Sequence, residues 1–232
     1  MKERIRHLFF DLDHTLWDFE TNSNETLAEL FEEHQLEQFG LFDFKGFMDV
    51  YVGVNRGLWD EYNRSVVSKE ALRERRFRET FEKLGLEKKH HPIPFSDQYI
   101  ARCTEKPAVF PKAHEVLTEL KTRYPMSIIT NGFPESQHRK MEASKLRQYF
   151  EHLIISEEVG FAKPHPGIFE AALALSGVSK EQVVMIGDNA HADIEGAQKA
   201  GIQTIWFNPH NEFKAPHIDV EIHHLEELLQ YL

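Results

Sequence analysis

The sequence predicts an α/β protein: a parallel β-sheet covered by helices on both faces, with a helical segment inserted after the first strand. Three observations predict it. A short apolar run at residues 5–10 stands alone near the N-terminus and ends in acidic residues. Helical periodicity with no strand-like run then extends from about Glu20 to Glu105. Beyond Pro107 short apolar runs alternate with helical segments, the pattern of parallel strands joined by crossover helices.

The elements follow in order. Residues 5–10 (Ile-Arg-His-Leu-Phe-Phe) suit a buried strand. Helices are expected at 22–38, 42–63, 69–84 and 96–104, and the charged, proline-containing stretch 88–94 reads as a loop. Residues 126–130 form a second strand, closed by Asn131-Gly132. Residues 153–155 form a third, followed by a helix over 166–175. Residues 182–186 form a fourth, closed by Gly187-Asp188, and 203–207 a fifth, after a helix ending near Ala200-Gly201. The expected division is a core of residues 1–17 and 106–232 and a helical domain of residues 18–105.

Composition narrows the function. The chain has 232 residues, with 27 Lys and Arg against 38 Asp and Glu, for a formal net charge of −11. Such an acidic protein is a poor partner for nucleic-acid polymers, whose phosphates need fields of Lys and Arg. A small anionic substrate needs only a local cation. Cys103 is the single cysteine, which excludes an intrachain disulfide and reads as a small apolar residue on a helix. No run approaches the ~18 apolar residues of a membrane span, and the first apolar run, cut by Asp11 and Asp13, is too short and too charged for a signal peptide. The expectation is a cytoplasmic protein, monomer or homodimer.

In open α/β sheets ligands bind beyond the carboxyl ends of the strands. The polar residues of this chain gather at those ends: Asp11-Leu12-Asp13-His14-Thr15 after the first strand, Thr130-Asn131-Gly132 after the second, and Gly187-Asp188 with Asp193 after the fourth. Lys163, in Phe161-Ala162-Lys163-Pro164, is expected near the same edge. Taken singly, each fragment is an ordinary turn, cap or surface charge. Together they place four carboxylates in one pocket, where mutual repulsion demands positive charge. Mg²⁺ and Lys163 would supply it, in a site suited to a phosphoryl group. One carboxylate of the Asp11/Asp13 pair can attack phosphorus while the other handles protons at the leaving oxygen and at the incoming water. The Thr130 hydroxyl and the amides of Asn131 and Gly132 can hold phosphate oxygens, and Lys163 offsets the charge of nucleophile and phosphate.

These motifs, in this order, resemble those of the haloacid dehalogenase superfamily: Asp11-x-Asp13-x-Thr15, Thr130-Asn131-Gly132, Lys163-Pro164, and Gly187-Asp188 followed by Asp193. The resemblance implies a Rossmann-like parallel-sheet core with an inserted α-helical cap domain of type I. It implies Asp11 as nucleophile and Asp13 as general acid/base, with Mg²⁺ held by the Asp11 side chain, the Asp13 backbone carbonyl and Asp188, and Asp193 in support. The founding dehalogenases lack the second Asp of the first motif. Halide leaves without a proton and an alkoxide does not, so Asp13 favours a phosphatase. Within the superfamily the chain is similar to bacterial pyrimidine 5′-nucleotidases. The likeness runs through residues 9–16, through Val54-Asn55-Arg56-Gly57-Leu58-Trp59-Asp60-Glu61-Tyr62 with Arg76-Phe77, and through residues 129–133 and 154–164. The expected substrate is therefore a pyrimidine nucleoside 5′-monophosphate. The alternatives are a phosphatase for small metabolites such as phosphoglycolate or sugar phosphates and, in another class, a phospho-accepting regulatory module.

Other residues have competing readings. Trp17, Phe19 and Phe133 can stack on a nucleobase or pack at a domain interface. Asn55, Trp59 and Tyr62 share a helix face that either reads a base edge or faces a core. The pairs His90-His91 and His223-His224 read as surface rather than metal sites. The basic run Arg73 to Arg78 reads as a solvated helix face.

Overall fold

The computed structural model describes residues 4–64, 66–211, 218 and 220–232. The described chain divides into two compact units, one holding the N-terminal residues through Phe19 together with Lys106–Leu232, the other Glu20–Glu105.

The first unit is built on a sheet of six parallel strands: β1 (His7–Phe10), β2 (Met126–Thr130), β3 (His152–Ile155), β4 (Val183–Gly187), β5 (Gln203–Phe207) and β6 (Glu221–Ile222). Their spatial order is β3-β2-β1-β4-β5-β6, so the first strand lies inside the sheet between β2 and β4. It is buried along its whole length, and so are β2 and β4, which explains their continuous apolar sequences. Sheet order reverses at β1, and in open α/β sheets ligands bind at such a switch point, beyond the carboxyl ends of the strands. One face of the sheet packs Phe9, Ile129 and Met185 against Ile168, Phe169 and Ala197. Strand β6, with two residues, has no counterpart in the sequence reading because so short a pairing leaves no periodicity to detect.

The chain leaves and re-enters this unit through a laced pair of segments. Phe110 N–H donates to Leu16 O at 2.9 Å and Asp18 N–H to Ala108 O at 3.1 Å. Trp17 is fully buried there, with its indole N–H on Lys106 O at 3.1 Å.

In chain order the helices are α1 (Phe19–Glu33), α2 (Phe44–Asn63), α3 (Lys69–Lys83), α4 (Phe95–Cys103), α5 (Ala113–Lys121), α6 (Pro134–Ala143), α7 (Ser156–Val159), α8 (Pro166–Ser176), α9 (Gly196–Lys199) and α10 (Leu228–Tyr231). The second unit comprises α2, α3, α4 and all of α1 beyond Phe19. The Asp43 carboxylate caps α2 by accepting from Gly46 N–H at 2.7 Å, and Ser68 caps α3 through Ala71 N–H at 3.2 Å. Residues Phe47, Tyr51, Val54, Asn55 and Leu58 form the buried stripe of α2. Phe47 anchors an aromatic core, with ring centroids 5.8 Å from Phe31, 5.9 Å from Phe81 and 6.1 Å from Phe95. Cys103 is buried at the end of α4.

Two readings change. Helix α1 starts at Phe19 and stops at Glu33, short of residue 38, because Gln35 turns left-handed (φ 49°) before a 3-10 turn at Leu36–Phe39. The arginine run of α3 is not uniformly solvated: Arg76 lies on the buried side with Leu72, Phe77 and Phe81.

Candidate active site

The turn after β1 carries the first two carboxylates. Asp11 N–H donates to Ile186 O at 2.9 Å, tying the turn to the end of β4. His14 takes the left-handed region (φ 64°), and Trp17 N–H returns to Leu12 O at 2.9 Å, closing the loop. Thr15 then clamps Asp188: its hydroxyl donates to Asp188 Oδ1 at 2.9 Å and accepts from Asp188 N–H at 3.0 Å, while lying 3.5 Å from Asp11 Oδ2.

Beyond β4 the chain forms one π-helical turn, Ala190–Glu195, a geometry that recurs at functional sites. The turn swings Asp193 back beneath Gly187, where it accepts from Asn189 N–H at 3.0 Å. A Cβ on Gly187 would lie 2.4 Å from Asp193 Oδ2, so only glycine admits this approach. Oxygens of Asp11, Asp188 and Asp193 lie within 4.8 Å of one another.

Lys163 faces this cluster. Its buried ammonium donates to Asp11 Oδ1 at 2.5 Å and to Ile129 O at 2.7 Å, and pairs with Asp193 Oδ1 at 2.7 Å. Asn131 fixes the backbone of Lys163 from both sides, donating from Nδ2 to Lys163 O at 2.9 Å and accepting Lys163 N–H on Oδ1 at 2.8 Å. A cis peptide joins Lys163 to Pro164. The Asn131 side chain is thus spent on placing the lysine, and Gly132 N–H donates to Thr130 Oγ1 at 3.1 Å.

Asp13 is held apart from that cluster by two residues absent from the sequence reading. Lys140 Nζ donates to its Oδ1 at 2.6 Å, and Gln137 Nε2 to its Oδ2 at 2.8 Å and to Thr130 Oγ1 at 3.1 Å. Lys140 also sits 4.4 Å from the Trp17 ring, so the face of Trp17 offered as a stacking surface is covered. Gly132 makes room for Gln137, whose Nε2 lies 1.4 Å from where a Cβ would stand. Nothing in Pro134–Ala143 distinguishes Gln137 and Lys140 from solvated residues, yet both are buried.

Electrostatics divide the two aspartates. Burial pushes the Asp11 carboxyl up to about 7; Lys163 opposes the shift, and Asp193 adds to it. Burial, with Asp11 and Asp193 beside it, pushes the Asp188 carboxyl well above its ordinary value. Burial would also raise Asp13, but Lys140 and Gln137 override it and hold the carboxyl below its usual value. Burial works against the Lys163 ammonium, but Asp11 and Asp193 more than offset it. Three carboxylates therefore face one ammonium, a deficit that a divalent cation would close. All the donors are hard oxygens, which suits Mg²⁺. The residues fit the ion.

His91 Nε2 contacts Leu86 O at 2.9 Å and His223 Nδ1 contacts Asn208 O at 2.7 Å, so one ring of each histidine pair is engaged with backbone.

A six-stranded parallel sheet reversing at β1, with aspartates beyond β1 and β4 facing a buried lysine, gives an enzyme of the α/β class an acidic site at the strand ends. A match over residues 5–201 makes the chain a member of the haloacid dehalogenase-like hydrolase family. It is 35% identical to pyrimidine 5′-nucleotidase YjjG of Escherichia coli over 228 residues, 96% of each chain. It is also 35% identical to pyrimidine 5′-nucleotidase PynA of Streptococcus pneumoniae over 208 residues, 89% of this chain and 85% of that one. Among solved structures, the HAD-hydrolase YfnB of Bacillus subtilis bound to magnesium superposes with a TM-score of 0.87 over 99% of both chains, at 28% identity.

Proposed function

We propose that the chain is a Mg²⁺-dependent phosphomonoester hydrolase that works through an aspartyl phosphate on Asp11, with pyrimidine nucleoside 5′-monophosphates as substrates. The observation that carries the chemistry is the contrast between the paired aspartates. Asp11 lies against Lys163 with Asp188 and Asp193 beside it, while Asp13 is separately held by Lys140 and Gln137. The 35% identity to two pyrimidine 5′-nucleotidases supports the substrate.

In this mechanism the Asp11 carboxylate attacks phosphorus and Lys163 orients it while neutralising charge on the phosphoryl oxygens. The Thr130 hydroxyl, which accepts from Gly132 N–H and Gln137, has its own proton left to donate to a phosphate oxygen. Asp13 is ionised as it stands and ready to take a proton from the water that attacks the phospho-enzyme. To protonate the leaving nucleoside oxygen it must first gain a proton, which the arriving phosphate charge promotes by raising its pKa. Asp11, Asp188 and the Asp13 backbone carbonyl would hold Mg²⁺, with Asp193 fixing Lys163. When bound, the ion polarises the phosphoryl group and offsets the carboxylate charge. The helical unit would serve as the cap.

The test is phosphate release with Mg²⁺ from dUMP, dTMP, UMP, CMP, AMP, GMP, phosphoglycolate and ribose 5-phosphate, with Asp11→Asn as control. Selective turnover of the pyrimidine nucleotides is expected, and none in the control. Equal rates on purines or sugar phosphates would retain the chemistry and reject the substrate.

A further inference from the structure

Helix α3 carries Arg75, Arg76 and Arg78, and their ion pairs are distributed against the expected order. Arg75 donates to Glu61 at 2.9 Å and to Glu79 at 2.5 Å, and Arg78 donates to Glu74 at 2.6 Å. Both of these guanidinium groups are partly exposed, where pairing is worth least. Arg76 is only 5% exposed; its backbone carbonyl accepts from Thr80 Oγ1 at 2.7 Å, but its Nε is buried with no hydrogen-bond partner and its guanidinium forms no ion pair among the described residues. A buried cation without a counter-charge is the costly arrangement, and a structure keeps it only when something else offsets the cost.

The groups that touch Arg76 do not close the deficit. Its guanidinium lies 5.1 Å from the Phe77 ring centroid and 4.7 Å from that of Tyr99, between two rings whose planes are 71° apart, contacts that leave the Nε–H donor unused. The phenols are occupied with each other: Tyr51 donates to Tyr99 at 2.9 Å, and Tyr99 shares a 2.9 Å bond with Ser23. Burial pushes both phenols above their ordinary range, so they stay neutral.

A second side chain is in the same condition. Asn55, one turn along α2 from Tyr51, is 9% exposed, and its Oδ1 has no hydrogen-bond partner. Tyr51 stacks on Phe77 with centroids 5.5 Å apart and planes 10° from parallel, so α2 one turn before Asn55 packs against the α3 residue next to Arg76. Two buried groups of opposite sense are therefore unsatisfied, a guanidinium that only donates and an amide oxygen that accepts. Their complement is a ligand edge on which a carbonyl oxygen neighbours an N–H, the edge of a pyrimidine-2,4-dione.

We propose that Arg76 and Asn55 form a base-recognition site in the helical unit, with Arg76 donating to a ring carbonyl oxygen and Asn55 Oδ1 accepting the adjacent ring N–H. This rests on the nucleotidase reading and deepens it, because it selects uracil- and thymine-type bases. Cytosine presents a bare ring nitrogen where Asn55 needs a donor, and a site built on hydrogen bonds discriminates against a ligand that leaves them unmade.

Ribose 5-phosphate, which keeps the sugar phosphate and lacks the base, is the internal reference. Arg76→Met should lower the ratio of kcat/KM for UMP to that for ribose 5-phosphate by at least about tenfold, chiefly through KM, and Asn55→Ala should lower it in the same sense. Thermal melting separates recognition from structure. Removing an unpaired buried charge should hold or raise Tm, whereas loss of a merely structural cation–π contact would lower Tm and leave the ratio as it was. In an Asp11→Asn background, where nucleotide is not consumed, UMP should raise Tm more than CMP does, and Arg76→Met should erase that difference. An unchanged ratio in both variants overturns the site while the nucleotidase reading stands. A wild-type protein that hydrolyses ribose 5-phosphate but not UMP rejects that reading, and the base site with it, before any variant is made.

Discussion

Asp11 and Asp13 are two residues apart in sequence and opposite in electrostatic setting. One is pushed up to about 7 by burial among other carboxylates, while the other is held down by Lys140 and Gln137. Lys140→Met should cost about 1–3 kcal/mol of stability, because it leaves a half-buried carboxylate without its strongest partner. It should also shift the acid limb of the rate profile upward as the Asp13 pKa rises; chemical denaturation and kcat/KM against pH read the two effects. Asp11→Asn should reduce kcat by more than about a thousandfold with Tm maintained or raised, as expected for a nucleophile freed from like-charge repulsion. His7, far from this chemistry, offers a cleaner titration. Its buried ring bonds Ser127 Oγ at 2.8 Å, and burial with His152 nearby lowers its pKa from 6.5 to about 4. Between those values the unfolded chain binds the proton that the folded one refuses, so stability rises with pH across the window and is lost as pH falls through it. The depression corresponds to about 3 kcal/mol at neutral pH. Denaturant midpoints of the wild type and of His7→Gln from pH 7 to pH 4 should converge as this contribution disappears.

Among the elements, the decisive one is the π-helical turn after β4. Within this turn Asp193 pairs with Lys163 and accepts from Asn189 N–H. Gly187→Ala sets a methyl against the Asp193 carboxylate at 2.4 Å. The turn must then shift, and kcat should fall at least about tenfold as Lys163 loses its second carboxylate. A variant with unchanged kcat would show that Asp193 tolerates displacement. The elements also explain what the sequence concealed. Gln137 and Lys140 sit in a helix of ordinary polar composition, and their burial depends on the glycine five residues before Gln137 and on Trp17, more than a hundred residues away. The aspartates were legible only as a set: each alone after an apolar run is an ordinary turn or cap, but together with Thr130 and Lys163 they gather too much charge at one sheet edge for that explanation.

For the molecule as a whole, strand order controls chemistry. Residues 7–10 pair with 126–128 on one side and 183–186 on the other, so groups far apart in sequence meet at one edge. Because carboxylates outnumber ammonium groups at that edge, Mg²⁺ should stabilise the folded protein. The expected gain is about 2.7 kcal/mol at a hundred times Kd, seen as a concentration-dependent rise in Tm that chelation reverses together with activity. A Tm indifferent to Mg²⁺ would place the ion elsewhere or nowhere. No helix among the described residues is long and apolar enough to cross a membrane.

Local chemistry determined much of this protein. Apolar runs made strands, an Asp and a Ser capped two helices, and the residues following β1, β2 and β4 announced a phosphoryl-type site. Such signals lie within a few residues of one another and survive in a linear chain. Tertiary structure alone decided the rest: that Lys140 belongs to Asp13, that Asn131 serves the lysine backbone, that Trp17 is covered, and that one arginine of a basic run is buried without a counter-charge. A charge declares its sign in sequence, but its energy depends on what surrounds it, and burial and partners exist only once distant segments have packed.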